Sequence, residues 1–295
     1  MCKHLPDTYM REIAFVTYSD SPKLTADDTR VASLLSQRNI QVEAVCWDTP
    51  HTDWEQFEGI VLRSCWNYHL YVSEFKSWIE QMAKQNRRLF NSSQVIAWNM
   101  DKTYLEVLSL AGIPIPPTHW LKKGEVVNLQ SLLAEKNWQK VVVKPTVSAS
   151  AYQTWLTSIE TALQDQPRLD VMLNAGGVMI QAFIEEVQTK GEWSLIFFNN
   201  RFSHAVLKRT RTNDFRVQQE YGGTAAACTP PDFIRKQAQH IIDTIGQPLL
   251  YARVDGIEVN GAFLLMELEL VEPALFLGET TENVMAFAEA IASVV

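Results

Sequence analysis

The stretch FLLMELELVEP, residues 263 to 273, sets Glu267 and Glu269 two apart inside an apolar run, with Glu272 just past its end. The run reads as the second strand of a β-hairpin, YARVDGIEVNGAFLLMELELVEP, that turns at Asn260 and Gly261. Side chains alternate along a strand with period two, so Glu267 and Glu269 share a face. Whether Asp255 joins them depends on the turn. A strict two-residue Asn-Gly turn sets Asp255 opposite Met266 and sends it to the other face. A three-residue loop from Val259 to Gly261, with glycine left-handed, sets Arg253 opposite Glu267 and brings Asp255 onto the shared face, and this second register is the one expected. Acids on an alternating strand commonly line its wet side. Against that reading, two carboxylates about 4 Å apart repel by roughly 4 kcal/mol at an effective dielectric near 20. A hard cation removes that cost. Oxygen ligands without His or Cys suit magnesium, since Mg2+ typically takes one or two carboxylates together with substrate phosphates and keeps its waters.

Two lysines suggest where such phosphates would lie. Lys144 ends the apolar run VVVK and precedes a proline, and a lysine there needs either a route to water or a lasting anion. Lys102 falls at the first turn of the helix expected in DKTYLEVLSLAG, where a cation opposes the helix dipole unless an anion is near. Together they point to a polyphosphate. In VMIQAFIEEVQTKGEWSLIFF an apolar strand ends in acids and feeds a second strand through Gly191 and Glu192. Its open backbone groups could read an adenine edge and a carboxylate could hold a ribose, although a plain solvated hairpin fits the residues equally well.

The elements that must carry these residues follow from periodicity. IAFVTY (13 to 18), QVEAVCW (41 to 47) and GIVLRS (59 to 64) are strand-like, with helical patterns around 26 to 38 and 72 to 86. This alternation predicts βαβ units on a mostly parallel sheet. RRLFNSSQVIAWN (87 to 99) reads as a last strand and a loop leaving that lobe. The helix with Asp101 near its start and Gly112 at its stop comes next, then the extended IPIPPT. From Val141 onward the pattern is strands in hairpins, with helices near 158 to 173, 231 to 245 and 280 to 294, an α+β region. The net charge of −8 is spread along the 295 residues, so no basic stripe suits nucleic acid; Lys208, Arg209, Arg211 and Arg216 form only a local anion-binding cluster. Cys2, Cys46, Cys65 and Cys228 show no metal-binding or disulfide spacing. No apolar run reaches the roughly 18 residues of a membrane span and no signal core opens the chain, so a cytoplasmic protein without nucleic-acid or membrane partners is expected.

Taken in order, NMDKTYLEVLSLAGIPIPPT, VVVKPT, VMIQAFIEE with GEWSL, FRVQQEYGGT, ARVDG and MELELVEP resemble the ATP-grasp superfamily, in its glutathione-synthetase-like and ribosomal-protein-S6-modification-like branches. The resemblance runs over roughly 90 to 280. It implies an ATP-grasp fold, α/β and α+β, behind a Rossmann-like N-terminal domain: 1–98 a substrate domain, 99–183 a small lid subdomain and 184–295 a catalytic subdomain. It further implies ATP and Mg2+ as cofactors. Lys102 and Lys144 would hold the phosphates, with Ser148 in the covering loop. Gln181, Phe183 and Ile184 would form the hinge against adenine, Glu192 would take the ribose, and Asp255, Glu267 and Glu269 would bind the metal. Arg216 and Arg253, with Lys144, would steady the transferred phosphoryl group. Two departures stand out. The covering loop, usually glycine-rich, is TVSASAY here, and the last metal ligand, commonly asparagine, is Glu269.

Such enzymes phosphorylate a carboxylate and let an amine attack the acyl phosphate, which asks the protein mainly for positioning and charge neutralisation. The substrate pocket is expected at strand ends of the N-terminal lobe, with Arg63, Trp66, Asn67 and Tyr68, and in KRTRTNDFRVQQEYGGT, with Arg209, Gly222 and Gly223. Trp47, Trp54 and Trp78 read as core aromatics, and His204 as a structural or substrate-facing residue rather than a base. The LRS.W.Y pattern and the ELELVEP ending are similar to the branch containing the O-ureidoserine cyclo-ligase of cycloserine biosynthesis, which leaves an intramolecular ligation open. A small carboxylate and an amine are the expected substrates, with a homodimer as a further partner. A small-molecule kinase and a nonenzymatic nucleotide-binding protein remain as alternatives.

Overall fold

A computed structural model of the chain describes residues 10–211, 222–278 and 280–295. The N-terminal lobe opens with β1 (Arg11–Thr17), α1 (Ala26–Ser36), β2 (Ile40–Cys46), β3 (Gly59–Leu62), α2 (Val72–Lys84) and β4 (Leu89–Phe90), whose four strands are parallel in the order β2-β1-β3-β4. β1 is buried on both sides. Ala14 and Val16 face α2, where Phe75, Trp78, Ile79 and Met82 are buried at helical spacing, and Ile13 and Phe15 face the opposite core with Val31 and Leu35 of α1. Trp47, Trp54 and Trp78 are 6%, 6% and 7% exposed, core residues as expected.

The loop expected after the last strand is in fact a helix, α3 (Ser93–Asn99). Ser92 caps it by accepting the Val95 amide, and Val95, Ile96 and Asn99 form its buried face, a pattern too short to stand out from the sequence. α4 (Tyr104–Leu110) follows a turn that holds Asp101 and Lys102, and Gly112 ends it at φ +92°.

The next lobe comprises β5 (Thr118–Leu121), α5 (Leu129–Lys136), β6 (Lys140–Pro145), β7 (Trp155–Ser158), α6 (Ala162–Ala175) and β8 (Val178–Ala182). Its antiparallel sheet, in the order β5-β8-β6-β7, packs Val141, Val143 and Ile180 against α5 and α6. After the short α7 (Glu186–Thr189) come β9 (Glu192–Phe198), β10 (Arg201–Arg209), β11 (Thr224–Ala227), α8 (Asp232–Ile245), β12 (Tyr251–Val259), β13 (Ala262–Glu269) and α9 (Thr281–Ala292). The strands form one antiparallel sheet, β11-β10-β9-β12-β13. α3, α4 and α8 pack on one of its faces through Val95, Leu105, Leu108, Ile234, Ile241 and Ile242. α9 returns to the N-terminal lobe, where Phe287 and Ile291 share a core with Phe15, Leu35 and Tyr251. Cys46, Cys65 and Cys228 are free thiols. Among the described residues no helix is long and apolar enough to cross a membrane.

Candidate active site

The hairpin of β12 and β13 corrects the expected turn. Val259 pairs with Ala262, so only Asn260 and Gly261 form the turn, both left-handed at φ +49° and +78°. The register then shifts between Asp255 and Gly256, leaving Met266 as the extra residue of a β-bulge. Asp255 comes to lie opposite Glu267, and Arg253 opposite Glu269 rather than Glu267. The three acids therefore do share a face, through the bulge and not through the turn. Gly256 makes the bulge possible: a Cβ there would stand 2.3 Å from the Phe263 ring and 2.6 Å from the Leu264 carbonyl oxygen.

β13 is an edge strand, and side chains complete its outer edge. Asn99 Nδ2 donates to the Leu268 carbonyl (2.9 Å) while Asn99 Oδ1 accepts the Leu270 amide (2.8 Å). The Leu268 amide donates to Tyr104 Oη (2.9 Å), and Asn91 Nδ2 donates to the Leu270 carbonyl (2.8 Å). These contacts stand in for a neighbouring strand and fix the segment that carries Glu267 and Glu269.

A cleft of about 410 Å³ opens between the two antiparallel sheets. Lys102, Lys144, Ser148, Gln181, Phe183, Ile184, Glu192, Arg253, Asp255, Glu267 and Glu269, expected from the sequence to act together, all line it. One end suits a flat apolar ring, walled by Val142, Phe183, Ile184, Val187, Met266 and Leu268. The Ala182 and Phe183 amides there already donate to the Pro117 and Lys140 carbonyls, whereas the Ile184 amide meets no backbone acceptor among the described residues. Lys102 Nζ donates to the Ser148 carbonyl (2.7 Å) and pairs with Glu267 (3.0 Å), tying the covering loop to β13. That loop puts Ser150, Ala151 and Gln153 at φ +48°, +55° and +53°, a conformation that glycine adopts without strain.

Charge is unevenly matched in the cleft. Burial opposes ionisation of Asp255, but Arg253 and Lys208, with a hydrogen bond from Ser194, hold its pKa near 2. Burial likewise opposes Glu267, yet Lys102 and Lys144 keep its pKa below the ordinary value. Glu269 is pushed up to about 8 chiefly by burial, which the partner Arg253 opposes while Glu267, Asp255 and Glu272 add to it. Glu272 is pushed up to about 7 by burial. Glu192, beside Lys208, is also raised by burial. Lys144 is lowered by burial and forms no ion pair among the described residues, whereas Lys102, Lys208 and Arg253 all do.

This charge pattern tests whether magnesium fits. Five acids and four cations line the cleft, and two of the acids resist ionisation at neutral pH. A cation would relieve that repulsion. Among the described residues, however, no three candidate ligands converge on one ion. The expected trio of Asp255, Glu267 and Glu269 is not assembled, because Arg253, Lys208 and Ser194 already engage both oxygens of Asp255. Glu267 and Glu269, with phosphate oxygens and water, make a set that does fit Mg2+.

Of the residues expected to contact substrate, Trp66 and Tyr68 line the cleft. Arg63 does not: it is 5% exposed, bonded to Asp28 (2.7 Å) and the Pro273 carbonyl, and stacked over Phe287. Asn67 does not either, since its amide bridges Trp47 Nε1 and Asp48. Arg209, Gly222 and Gly223 lie away from the lining, and Arg216 falls outside the described residues. His204 is structural, with Nε2 at the Leu275 and Phe276 carbonyls and Nδ1 at the Ser203 hydroxyl. Sequence reasoning placed Lys208 only in a local anion-binding cluster and gave it no partner in the cleft, although it lies at the end of an apolar strand just as Lys144 does. Nor did it assign Glu272 a role, and no sequence signal marks Asn99 or Tyr104.

A family model described as the N-terminal domain of D-cycloserine synthetase DcsG matches residues 13–91. Over nearly its full length the chain is 28% identical to the cycloserine biosynthesis protein DcsG of Streptomyces lavendulae, covering 95% of this chain and 97% of that protein. The crystal structure of D-cycloserine synthetase DcsG superposes with a TM-score of 0.84 at 26% identity, over 96% of this chain and 99% of the other. An ATP-grasp RimK domain protein from Sphaerobacter thermophilus gives a TM-score of 0.70 at 15% identity, over 95% and 99% of the two chains. The D-alanine–D-alanine ligase of Bacillus anthracis gives 0.70 at 14% identity, over 96% and 98%.

Proposed function

From the premise that the chain has the ATP-grasp fold and is a homologue of D-cycloserine synthetase DcsG, we propose that it is an ATP-dependent ligase activating a small amino-acid-like carboxylate for attack by an amine. The observation that carries this reading is Lys144, which among the described residues is the cation of the cleft without an ion pair and lies close enough to Glu267 to feel its charge. A magnesium nucleotide phosphate would supply the anion that the lysine lacks and add positive charge beside acids that Lys102 and Arg253 only partly neutralise.

Adenine would lie in the apolar end against Phe183 and Met266, with the Ile184 amide at its edge and Glu192 toward the ribose. Lys102 and Lys144 would hold phosphate oxygens, and Ser148 in the covering loop would follow Lys102 as it moves. Glu267 and Glu269 would hold magnesium, whose contribution is to neutralise the transferring phosphoryl group. Arg253 is held by Asp255 and by the Ala274 carbonyl, so its guanidinium is fixed in advance beside the place where the carboxylate of the substrate would receive the phosphoryl group. ADP leaves, and an amine nitrogen attacks the acyl phosphate carbon with loss of phosphate. The three matches to DcsG, a D-cycloserine synthetase, support an amino-acid-like acid and leave room for an amine in the same molecule.

The test is ADP release from Mg-ATP against a panel of amino-acid-like carboxylates, with and without added amine. One acid should stimulate release, and Lys144→Ala should lower kcat/KM for ATP roughly 100-fold or more. An acyl product that contains the nitrogen identifies the ligase. A stable phosphorylated acid would identify a kinase instead, and nucleotide binding without turnover on any acid would refute both.

A further inference from the structure

We propose that Glu272 is the carboxylate that receives the cationic amino group of the substrate, in the chamber walled by Trp66 and Tyr68, so that the enzyme selects amino acids over plain carboxylic acids. The starting point is an imbalance in hydrogen bonding. Glu192, Asp255, Glu267 and Glu269 each have a cationic partner within the cleft. Glu272 lines the same cleft, is only 8% exposed, and its carboxylate makes no hydrogen bond or ion pair among the described residues. The cations nearest to it are committed elsewhere: Arg253 to Asp255 and Glu269, Lys102 to Glu267 and Ser148, Arg63 to Asp28. Its carboxylate oxygens are not sealed off but reach the cleft, where no protein donor meets them among the described residues, so a ligand that displaces the cleft water must bring the donor they lack.

The backbone around Glu272 is held as a binding residue requires. Trp66 Nε1 donates to the Glu272 carbonyl (3.4 Å), Arg63 to the Pro273 carbonyl (3.5 Å), Arg253 to the Ala274 carbonyl (3.1 Å), and His204 bonds the next two carbonyls. The carboxylate is thus presented from a segment fixed on several sides. Its surroundings in the cleft, Trp66, Tyr68, Val271 and Phe276, offer no competing donor of positive charge, and an indole face favours an ammonium further. Glu272 also follows Glu269 by three residues, at most about 10 Å along the chain. One small molecule can therefore place its carboxylate near Arg253 and the metal-binding acids and its ammonium on Glu272.

The assignment rests on the ligase reading for the identity of the cleft but is read by binding alone. Alanine, serine and O-methylserine of both hands, with propionate, 3-hydroxypropionate and 3-methoxypropionate, are titrated calorimetrically into the full chain loaded with Mg2+ and a nonhydrolysable ATP analogue. At least one amino acid should bind roughly 30- to 100-fold more tightly than its deaminated counterpart, the worth of a charge-assisted hydrogen bond. Glu272→Gln should lose that preference while binding the deaminated acid and the nucleotide as before, and should melt no lower than the unchanged protein. Preference retained in Glu272→Gln overturns the assignment. So does equal binding of both classes, or binding of neither, by a protein that still takes up nucleotide. Failure to bind the nucleotide at all would instead bring down the ligase reading.

Discussion

Asn99→Ala should damage the site from a distance. Asn99 is 6% exposed and replaces a strand neighbour for β13, giving a donor to the Leu268 carbonyl and an acceptor to the Leu270 amide on either side of Glu269. Truncation leaves both backbone groups buried and unpaired. Each such group costs about 1–3 kcal/mol, so a loss of about 3 kcal/mol is expected if water restores part of the bonding. For a chain of this size that corresponds to a melting temperature lower by roughly 6–12 °C. Asn99→Asp keeps the acceptor for Leu270 and loses the donor to Leu268, setting a carboxylate against a carbonyl; it should be at least as destabilising as alanine at neutral pH and milder at pH 4, where a protonated acid can donate again. Melting curves at the two pH values measure this directly. Because Glu269 lies between the two affected residues, the concentration of Mg2+ needed for half-maximal ADP release should rise in both variants while KM for the acid changes less. Loss of under about 0.5 kcal/mol in Asn99→Ala, or an unaltered metal requirement in a destabilised variant, would show that the edge contacts do not position the acids.

Glu272 stands at about 7 against an ordinary 4.5, through burial and through Glu267, with Arg253, Lys102 and Arg63 pulling the other way. A raised acid contributes its full stability below pH 4.5 and loses it as pH climbs from there through 7, so Glu272→Gln should gain about 3 kcal/mol at pH 8.5 and under about 0.5 kcal/mol at pH 4 in metal-free buffer; an equal change at both would contradict the burial argument. Gly256→Ala should cost about 3 kcal/mol, because the new Cβ meets the Phe263 ring at 2.3 Å, whereas Gly261→Ala, strained only by φ +78°, should cost about 1 kcal/mol in the same melts. Ala151→Gly relieves a left-handed φ of +55° and should leave stability unchanged or raise it by roughly 1 kcal/mol, and a clear drop in melting temperature would show that the loop is held by more than its backbone conformation.

The parts of this protein written plainly in its sequence are those governed by short-range pattern. The apolar run before Lys144 and the period-two alternation of the hairpin acids identified their strands, the helical pattern that holds Phe75, Trp78, Ile79 and Met82 gave α2, and Gly112 marks the end of α4. The side on which Asp255 lies was not legible, because the turn residues fix the register only as far as the bulge, and the bulge depends on Phe263 packing over Gly256. Arg63 and Asn67 misled for a related reason: strand-end position told which residues could reach a ligand, but not that Asp28, Trp47 and Asp48 already held them. Sequence alone determined which chemical groups the cleft would contain, since those types recur at fixed places along strands and turns. Only the tertiary structure decided which of them are paired and which are left over. Pairing is set by contacts between residues far apart in the chain, such as Lys102 with Glu267 and Lys208 with Asp255, and among the described residues it leaves Lys144 and Glu272 of the cleft without an ion pair.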